Sequence, residues 1–228
     1  MGSASEHNGI TLADVKDSFT LERYLEQANV FIGTIGAIQH NRQHSELVSF
    51  LAYDILSTLG FPTRLAELAA IAGYLHDIGN VVNRYGHGMS GAIIVFEELL
   101  DQGMDPEEVA IIVAAIGNHE EHAQGESVNP VAAAVILADK SDVHQSRVRK
   151  VEEAAFTPRD RVNYAAKEAA LLVDPDQRSI RLRLHIDTRY CSVMEYFEIF
   201  LTKMLMCKRA AEFLHCHFEL LINEVKLL

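Results

Sequence analysis

The stretch LAELAAIAGYLHDIG, residues 65–79, places small apolar side chains at helical spacing and ends in a histidine and an aspartate. Leu68, Ala72 and Leu75 recur every three or four residues, which predicts a helix with one buried face. His76 lies on that same face, and Asp77 follows it directly. Because an unpaired polar group is costly to bury, these two side chains require polar partners inside the protein.

Further helical stripes flank this stretch on both sides. They run over residues 47–59, 92–100 and 107–118, and from residue 131 onward. Gly60 ends the first stripe and Gly103 ends the second, each with a proline just beyond. Residues 111–115 and 131–138 are apolar nearly all round, and helices of that kind lie in the middle of a bundle. The pattern predicts a mostly α fold, a helical bundle.

The last third of the chain has a different pattern. Residues 180–186 alternate apolar and polar side chains, which predicts a half-buried strand. The sequence Asp174-Pro175-Asp176 precedes it and predicts a turn, so we expect a small β-hairpin. A wide apolar face from about Ser192 to Arg209 predicts a long amphipathic helix that packs on the bundle or on a second subunit.

Composition excludes several classes of protein. The 228-residue chain is 49% hydrophobic with a net charge of −12, which opposes non-specific binding to nucleic acid. No apolar run is long enough to span a bilayer, and the polar N-terminus does not resemble a signal peptide. The cysteines are too few and too scattered for a disulfide framework. We expect a cytoplasmic protein whose partner is neither nucleic acid nor a membrane.

Several polar side chains share a helical face with apolar neighbours. They are His44, His76, His119 and Asp139. Each alone has an ordinary explanation, because a core histidine is usually hydrogen-bonded and Asp139 has Lys140 or Arg147 as ion-pair partners. Together, on separate helices, they satisfy one another most simply around cations. Imidazole and carboxylate donors suit Fe, Mn, Zn, Co or Ni rather than Ca.

Five short motifs occur in order along the helical part of the chain. They are RQHS at 42–45, LHDIG at 75–79, HGMSGA at 87–92, IGNH at 116–119 and LADK at 137–140. Together they resemble the motif set of the HD-domain phosphohydrolase superfamily, over roughly residues 21–150. The resemblance and the patterns on either side of it predict three parts: a flexible N-terminal segment (1–20), an HD metal-binding helical domain (21–155) and a C-terminal α+β extension (156–228).

The resemblance also implies a ligand set for one or two divalent transition metals. Fe and Mn are the first candidates, with Zn, Co and Ni as alternatives. The first metal would be bound by His44, His76, Asp77 and Asp139. His87 and His119 would complete a second site, with Asp77 bridging the two metals.

A metal-dependent phosphohydrolase is the function that the resemblance implies. Metal-activated water would cleave a phosphomonoester or phosphodiester of a nucleotide or other small molecule. The candidate catalytic residues are Asp77 and Lys140, and the candidate substrate-binding residues are Arg42, Asn80, Arg84 and His122. Asn80 stands where the superfamily motif usually has lysine, and a GYP-type motif is absent, which disfavours cleavage of cyclic-di-GMP.

Two alternatives stay open on the sequence alone. Some HD-type proteins with a similar ligand pattern are di-iron oxygenases, and ligand types do not separate oxygenation from hydrolysis. The other alternative is a non-catalytic metal-binding interaction protein. The extension is a candidate for a lid or a homodimer surface. His40, one helical turn before His44, is expected to support a ligand or the packing.

Overall fold

The computed structural model describes residues 9–121 and 125–228. The helices are α1 (Leu12–Asp17), α2 (Phe19–Thr34), α3 (Arg42–Thr58), α4 (Thr63–Leu75), α5 (His87–Asp101), α6 (Pro106–Gly117), α7 (Pro130–Ser141), α8 (Pro158–Ala165) and α9 (Val193–Phe213). Short 3₁₀ turns lie at Ile78–Val81, Gln145–Arg147 and Glu153–Ala155. The fold is mostly α, as predicted, with a small sheet and a long helix after the bundle.

Local chemistry explains where the helices that carry the site begin. The side chain of Asn41 accepts a hydrogen bond from the main-chain nitrogen of His44, which caps α3. Asn129 caps α7 in the same way, with Pro130 in the first turn. These caps place His44 in the first turn of α3 and leave Asp139 in the last turn of α7.

Helix α7 lies at the centre of the bundle. Every residue from Val131 to Ser141 is buried, which confirms the prediction made from its all-round apolar pattern. Residues 111–115 of α6 are less central than predicted: Ile112 and Ala115 are buried, while Ile111 is only partly so. Burying a helix on all sides requires partners all round, and α3, α4, α6 and α9 surround α7.

The C-terminal sheet has the order β1-β2-β3-β4. The strands are β1 (Ala166–Asp174), β2 (Ser179–Ile186), β3 (His217–Ile222) and β4 (Val225–Lys226). The β1–β2 pair is the predicted hairpin, and β3 pairs in parallel with β2 because α9 crosses over between them. Strands β3 and β4 were not predicted, although buried Phe218, Leu220 and Ile222 alternate along β3.

The extension packs on the bundle. Helix α9 begins after its N-cap Ser192, as predicted, and continues four residues beyond Arg209. Its fully buried Tyr196 and Phe200 belong to one hydrophobic core that also includes the bundle. The predicted packing of this helix on the helical domain is therefore observed, whereas a homodimer and the domain division at residue 155 stay predictions.

The prediction of a flexible N-terminal segment was wrong for residues 9–20. Thr11 and Asp14 form a reciprocal capping box that starts α1, and Val15 is fully buried in the core. Burial of Val15 in the core therefore orders a stretch that the sequence analysis had assigned to a flexible segment. Among the described residues, no helix combines the length and the apolar character that crossing a membrane requires.

Candidate metal centre and its cleft

Four histidines from four different parts of the bundle meet at one point. His44 comes from α3, His76 follows the last residue of α4, His87 is the first residue of α5, and His119 follows α6. All four are buried, together with Asp77 and Asp139. The structure thus brings together the six residues that the sequence singled out as metal ligands.

Each histidine is oriented through its Nδ1 atom. In three of them Nδ1 lies 2.6–2.9 Å from the main-chain carbonyl oxygen three residues earlier. The pairs are His76 with Gly73, His87 with Arg84, and His119 with Ile116. In His44, Nδ1 lies 2.7 Å from Asp142 Oδ2. Because these oxygens only accept hydrogen bonds, Nδ1 carries the proton in the neutral form of each ring and leaves the Nε2 lone pair available to a metal.

These lone pairs face one another in two pairs. His44 Nε2 lies 3.2 Å from His76 Nε2, and His87 Nε2 lies 3.0 Å from His119 Nε2. Two nitrogen lone pairs at such distances repel unless a cation lies between or beside them. Ligation through Nε2 with Nδ1 held by an oxygen is the usual arrangement of a metal-binding histidine.

Asp77 lies between the two histidine pairs. Its Oδ2 atom is buried without a hydrogen-bond partner and lies 3.4 Å from His44 Nε2 and 3.3 Å from His76 Nε2. Its Oδ1 atom lies 3.3 Å from His87 Nε2 and accepts a hydrogen bond from Asn80. A buried carboxylate oxygen with no donor is costly, and a cation at this position removes the cost.

The donor atoms fall into three overlapping groups. They are His44, His76 and Asp77; His76, His119 and Asp139; and Asp77, His87 and His119. Within each group the donor atoms lie within 4.8 Å of one another. Asp139 Oδ1 also lies 3.4 Å from His44 Nε2. Nitrogen and carboxylate donors in these positions fit one or two divalent transition metals with Asp77 between them.

The protonation of the cluster shows that it attracts positive charge. Burial lowers the pKa of His76, but the neighbouring carboxylates of Asp77 and Asp139 outweigh it and raise the pKa to about 10. Burial also acts to raise the pKa values of Asp77 and Asp139. The His76 imidazolium nevertheless holds the pKa of Asp77 well below its ordinary value, and the ammonium of Lys140 does the same for the pKa of Asp139. In metal-free protein a proton on His76 thus takes the place of a cation.

A layer of polar residues behind the ligands holds them in place. Asp142, which accepts from His44, also accepts from the guanidinium of Arg147 at 2.9 Å. Arg147 in turn donates to the main-chain oxygen of Gln39 at 2.6 Å. The sequence offered Arg147 as an ion-pair partner for Asp139, whereas in the structure it pairs with Asp142.

Glu120 holds the start of α5 and was missed in the sequence. It is buried, and its carboxylate accepts hydrogen bonds from the main-chain nitrogens of Gly86 and Gly88. A negative side chain at a helix N-terminus satisfies free N–H groups and the helix dipole. This contact positions His87, the first residue of the helix.

Gly79 of the LHDIG motif permits close packing. A Cβ atom at this position would overlap the main-chain oxygen of His87 and the main-chain nitrogen of Gly91. The motif therefore needs glycine here because the 3₁₀ turn after Asp77 passes directly against α5. That approach brings Asp77 within reach of His87.

A polar cleft opens onto the ligands and is rich in cations. Its basic lining residues are Arg84, Lys140, Arg147, Arg159 and Lys203, and its acidic ones are Asp77, Glu120, Glu121 and Asp139. His40 also lines it, with Nε2 3.9 Å from Asp77 Oδ2. In a chain of net charge −12, a cleft in which basic side chains slightly outnumber acidic ones is less negative than the protein as a whole. Arg159 and Lys203 come from the extension and were not predicted.

Lys140 and Arg84 lie where the sequence placed them. Lys140 is buried, with Nζ 2.6 Å from Asp139 Oδ2 and 3.7 Å from Glu121 Oε1. Burial lowers its pKa, but Asp139 and Glu121 outweigh this and raise it, so the side chain is cationic. Both residues line the cleft. Their roles in catalysis and substrate binding stay predictions.

The other candidate substrate residues have different outcomes. Arg42 lies outside the cleft: its side chain is 63% exposed and pairs with Glu46 and Glu22. Because it precedes His44 by two residues, it lies on nearly the opposite face of α3, and the structure does not bring it to the cleft. Asn80 is buried and holds Asp77 instead of lining the cleft. His122 lies outside the described residues.

One comparison with known proteins gives a match. Residues 41–144 match the family model of the HD domain. This range contains all six candidate metal ligands, and the sheet and α9 lie beyond it. No curated protein matches the chain.

Proposed function

This chain carries an HD domain, the domain of a superfamily of metal-dependent phosphohydrolases, and on that premise we propose that it hydrolyses a small phosphate ester. The proposed substrate is a nucleotide or another small phosphorylated molecule. The proposed cofactor is a pair of divalent transition metals, with Fe or Mn as the first candidates.

The observation that carries the proposal is a group of buried nitrogen and oxygen atoms that face one another in the core without hydrogen-bond donors between them. Two pairs of Nε2 atoms face each other at 3.2 and 3.0 Å, and the buried Asp77 Oδ2 between them has no hydrogen bond. Packing alone gives no reason to bury these groups together. A metal pair satisfies all of them at once.

Some residues of the site would bind the metals, and others would act on the attacking water and the phosphoryl group. His44, His76, Asp77 Oδ2 and Asp139 would hold one metal, and Asp77 Oδ1, His87 and His119 the other. When bound, such a pair lowers the pKa of water and neutralises charge on a phosphoryl group. Asp77, between the two sets, orients the attacking water by accepting its hydrogen bond. The ammonium of Lys140 and the guanidinium of Arg84 stabilise the charge that develops on the phosphoryl oxygens.

The cleft favours hydrolysis of an anion over oxygenation of a neutral substrate. Arg84, Lys140, Arg159 and Lys203 line its walls, and such a set of cations matches phosphate oxygens. An oxygenase acting on an uncharged compound has no use for them. This argument counts against an oxygenase of an uncharged compound, whereas an oxygenase of an anionic phosphonate is separated from the hydrolase by metal exchange.

The test combines metal removal with a phosphoesterase screen. Protein stripped by a chelator and reloaded with Mn or Fe should release phosphate or nucleotide from at least one ester, whereas stripped protein should not. Lys140→Ala should lower turnover by more than about tenfold at unchanged metal content, because a hydrogen bond to a charged group contributes about 1.5–3 kcal/mol. Lys208→Ala, an exposed lysine on α9, is the matched control.

Oxygen consumption coupled to loss of a substrate, with no phosphate or nucleotide released under any metal, would contradict the proposal. Equal turnover of the Lys140→Ala and Lys208→Ala proteins would remove Lys140 from the mechanism.

A further inference from the structure

Two basic side chains of the C-terminal extension reach the cleft above the metal centre. Lys203 comes from α9 and Arg159 from the first turn of α8, and both line the cleft together with Asp77 and Asp139. The HD-domain match ends at residue 144, so neither residue belongs to the matched range. They reach the site from outside the matched range.

Lys203 is a buried cation with weak partners. Its residue is 8% exposed, and its Nζ atom lies 3.8 Å from Glu121 Oε1, beyond hydrogen-bonding distance. Within residues 9–121 and 125–228 its ammonium makes no hydrogen bond, and its other close neighbour is the ring of Phe200, 4.6 Å away. Burying an ammonium without hydrogen bonds is costly, so packing does not account for this lysine.

Arg159 stands beside the same ring. Its Cζ atom lies 5.8 Å from the centre of the Phe200 ring, and its side chain is half-buried. No carboxylate in the described parts of the chain pairs with its guanidinium. The carboxylates that face Lys203, Glu121 and Asp139, form no hydrogen bond with it, so two incompletely paired cations lie beside one aromatic ring. An anion between them would remove the repulsion.

Lys203 lies farther from the metal ligands than Lys140 does. Lys140 contacts Asp139 Oδ2 at 2.6 Å, whereas Lys203 has no such contact and approaches the ligands through Glu121. Glu121 Oε1 is 3.7 Å from the ammonium of Lys140 and 3.8 Å from that of Lys203. A phosphoryl group at the metals would meet Lys140, and the next group along the substrate would meet Lys203 and Arg159.

We propose that Lys203 and Arg159 form a subsite for a second phosphate group, so that the extension selects substrates with a diphosphate or longer phosphate chain. The inference rests on the proposed phosphohydrolase function, which supplies the first phosphoryl position. Burial lowers the pKa of Lys203 to about 8, with Glu121 opposing the shift, so the side chain still carries its charge at neutral pH. A second phosphate would give this ammonium the hydrogen bonds that it lacks.

The test compares binding of one phosphate with binding of two. Full-length protein loaded with Mn is titrated calorimetrically with inorganic phosphate and with imidodiphosphate, a diphosphate analogue whose P–N–P link resists hydrolysis. Lys203→Met keeps the length of the side chain without its charge, and Arg159→Gln is the second variant. Lys208→Met, on the exposed side of the same helix, and Arg183→Gln, exposed on β2, are the matched charge controls.

Each cleft variant should weaken imidodiphosphate binding at least tenfold while changing inorganic phosphate binding less than threefold, at unchanged metal content. The two controls should change neither affinity. An imidodiphosphate affinity of Lys203→Met and Arg159→Gln within threefold of their controls would overturn the subsite, as would an equal loss for both probes.

The binding measurements distinguish a failure of the subsite from a failure of the proposed hydrolase function. If no phosphate ester is cleaved but Lys203→Met selectively loses imidodiphosphate, the hydrolase proposal fails and the subsite stands. If an ester is cleaved and Lys203→Met binds both probes as Lys208→Met does, the hydrolase stands and the subsite fails.

Discussion

At the scale of single residues, most of the ligand histidines are oriented by a hydrogen bond to the main chain of their own segment. Three of the four rings donate Nδ1–H to the carbonyl oxygen three residues earlier, so each helix end aims its own imidazole. His44 depends instead on Asp142, a residue from the end of α7. Its geometry is therefore the one most sensitive to how the helices pack.

Asp77 carries the first residue-scale prediction. Asp77→Asn keeps the shape of the side chain but removes the charge that both donor sets share, so bound metal should fall to less than about a tenth of the wild-type content. Elemental analysis of protein purified without added metal measures this. Asp101→Asn, at the exposed end of α5, should retain the wild-type content. Full metal occupancy in Asp77→Asn would show that Asp77 is not a ligand.

Lys203 carries a prediction about stability and pH. Its folded-state pKa of about 8 lies below the ordinary 10.5, so below pH 8 the folded protein bears the whole penalty of the buried charge. The groups facing it are Glu121, Lys140, Asp139 and Arg159. Lys203→Met should therefore raise the free energy of unfolding of metal-free protein at pH 7, by roughly 3 kcal/mol at most.

The sign of the pH dependence follows from which state binds more protons. Between pH 8 and 10.5 the unfolded wild-type chain keeps a proton on this lysine that the folded chain has lost, so wild-type stability rises relative to the variant. The advantage of Lys203→Met should shrink as pH rises through this window. Urea unfolding at several pH values measures it, and a variant less stable than wild type at pH 7 would mean that the lysine acts as a structural ion pair.

At the scale of elements, the contact between the 3₁₀ turn at Ile78–Val81 and α5 sets the distance between Asp77 and His87. Gly79→Ala would push a methyl group into the main chain of α5, and overpacking of this kind costs about 1–3 kcal/mol or more. We expect a lower unfolding midpoint and weaker binding of the metal at His87 and His119.

Gly117→Ala is the control for that change. A Cβ atom at Gly117 meets side-chain atoms no closer than 3.9 Å, which is ordinary contact. Thermal unfolding with and without metal should therefore leave Gly117→Ala close to wild type. A Gly79→Ala protein with unaltered midpoint and metal affinity would mean that α5 shifts without consequence for the site.

At the scale of the whole molecule, the extension and the bundle share one core and one cleft. Phe200 is buried in that core, and its ring lies beside the two cations that enter the cleft. The strongly acidic surface slows the approach of an anion from a distance, so recognition depends on the basic residues inside. Folding of the extension and the shape of the cleft are thus coupled.

Metal exchange tests the chemistry of the whole molecule. Hydrolysis leaves the oxidation state of the metals unchanged, so protein reloaded with Mn, Co or Ni should retain phosphate-ester turnover. An oxygenase depends on redox cycling of Fe and would lose turnover on the same exchange. Activity confined to Fe and dependent on dissolved oxygen would decide for the oxygenase.

Much of the bundle and its ligands was predictable because the signals are local. Helical periodicity located α3 to α7, and the end of each stripe located the polar side chains that enter the core. Arg42 lies outside the cleft for a reason that the sequence already contained, since two residues along a helix turn a side chain to nearly the opposite face. Asn80 lies in the 3₁₀ turn after Asp77, and the direction of its side chain depends on the position of the Asp77 carboxylate to which it donates.

What the sequence by itself determined is therefore the mostly α fold and the six residues that meet at its centre, because burial at helical spacing and the order of the motifs are properties of the chain alone. Only the tertiary structure decided which other side chains join them. Glu120 reaches α5, and Lys203 and Arg159 reach the cleft, through contacts between segments far apart in sequence. No periodicity or spacing encodes such contacts, because they arise from how α8 and α9 pack against the bundle.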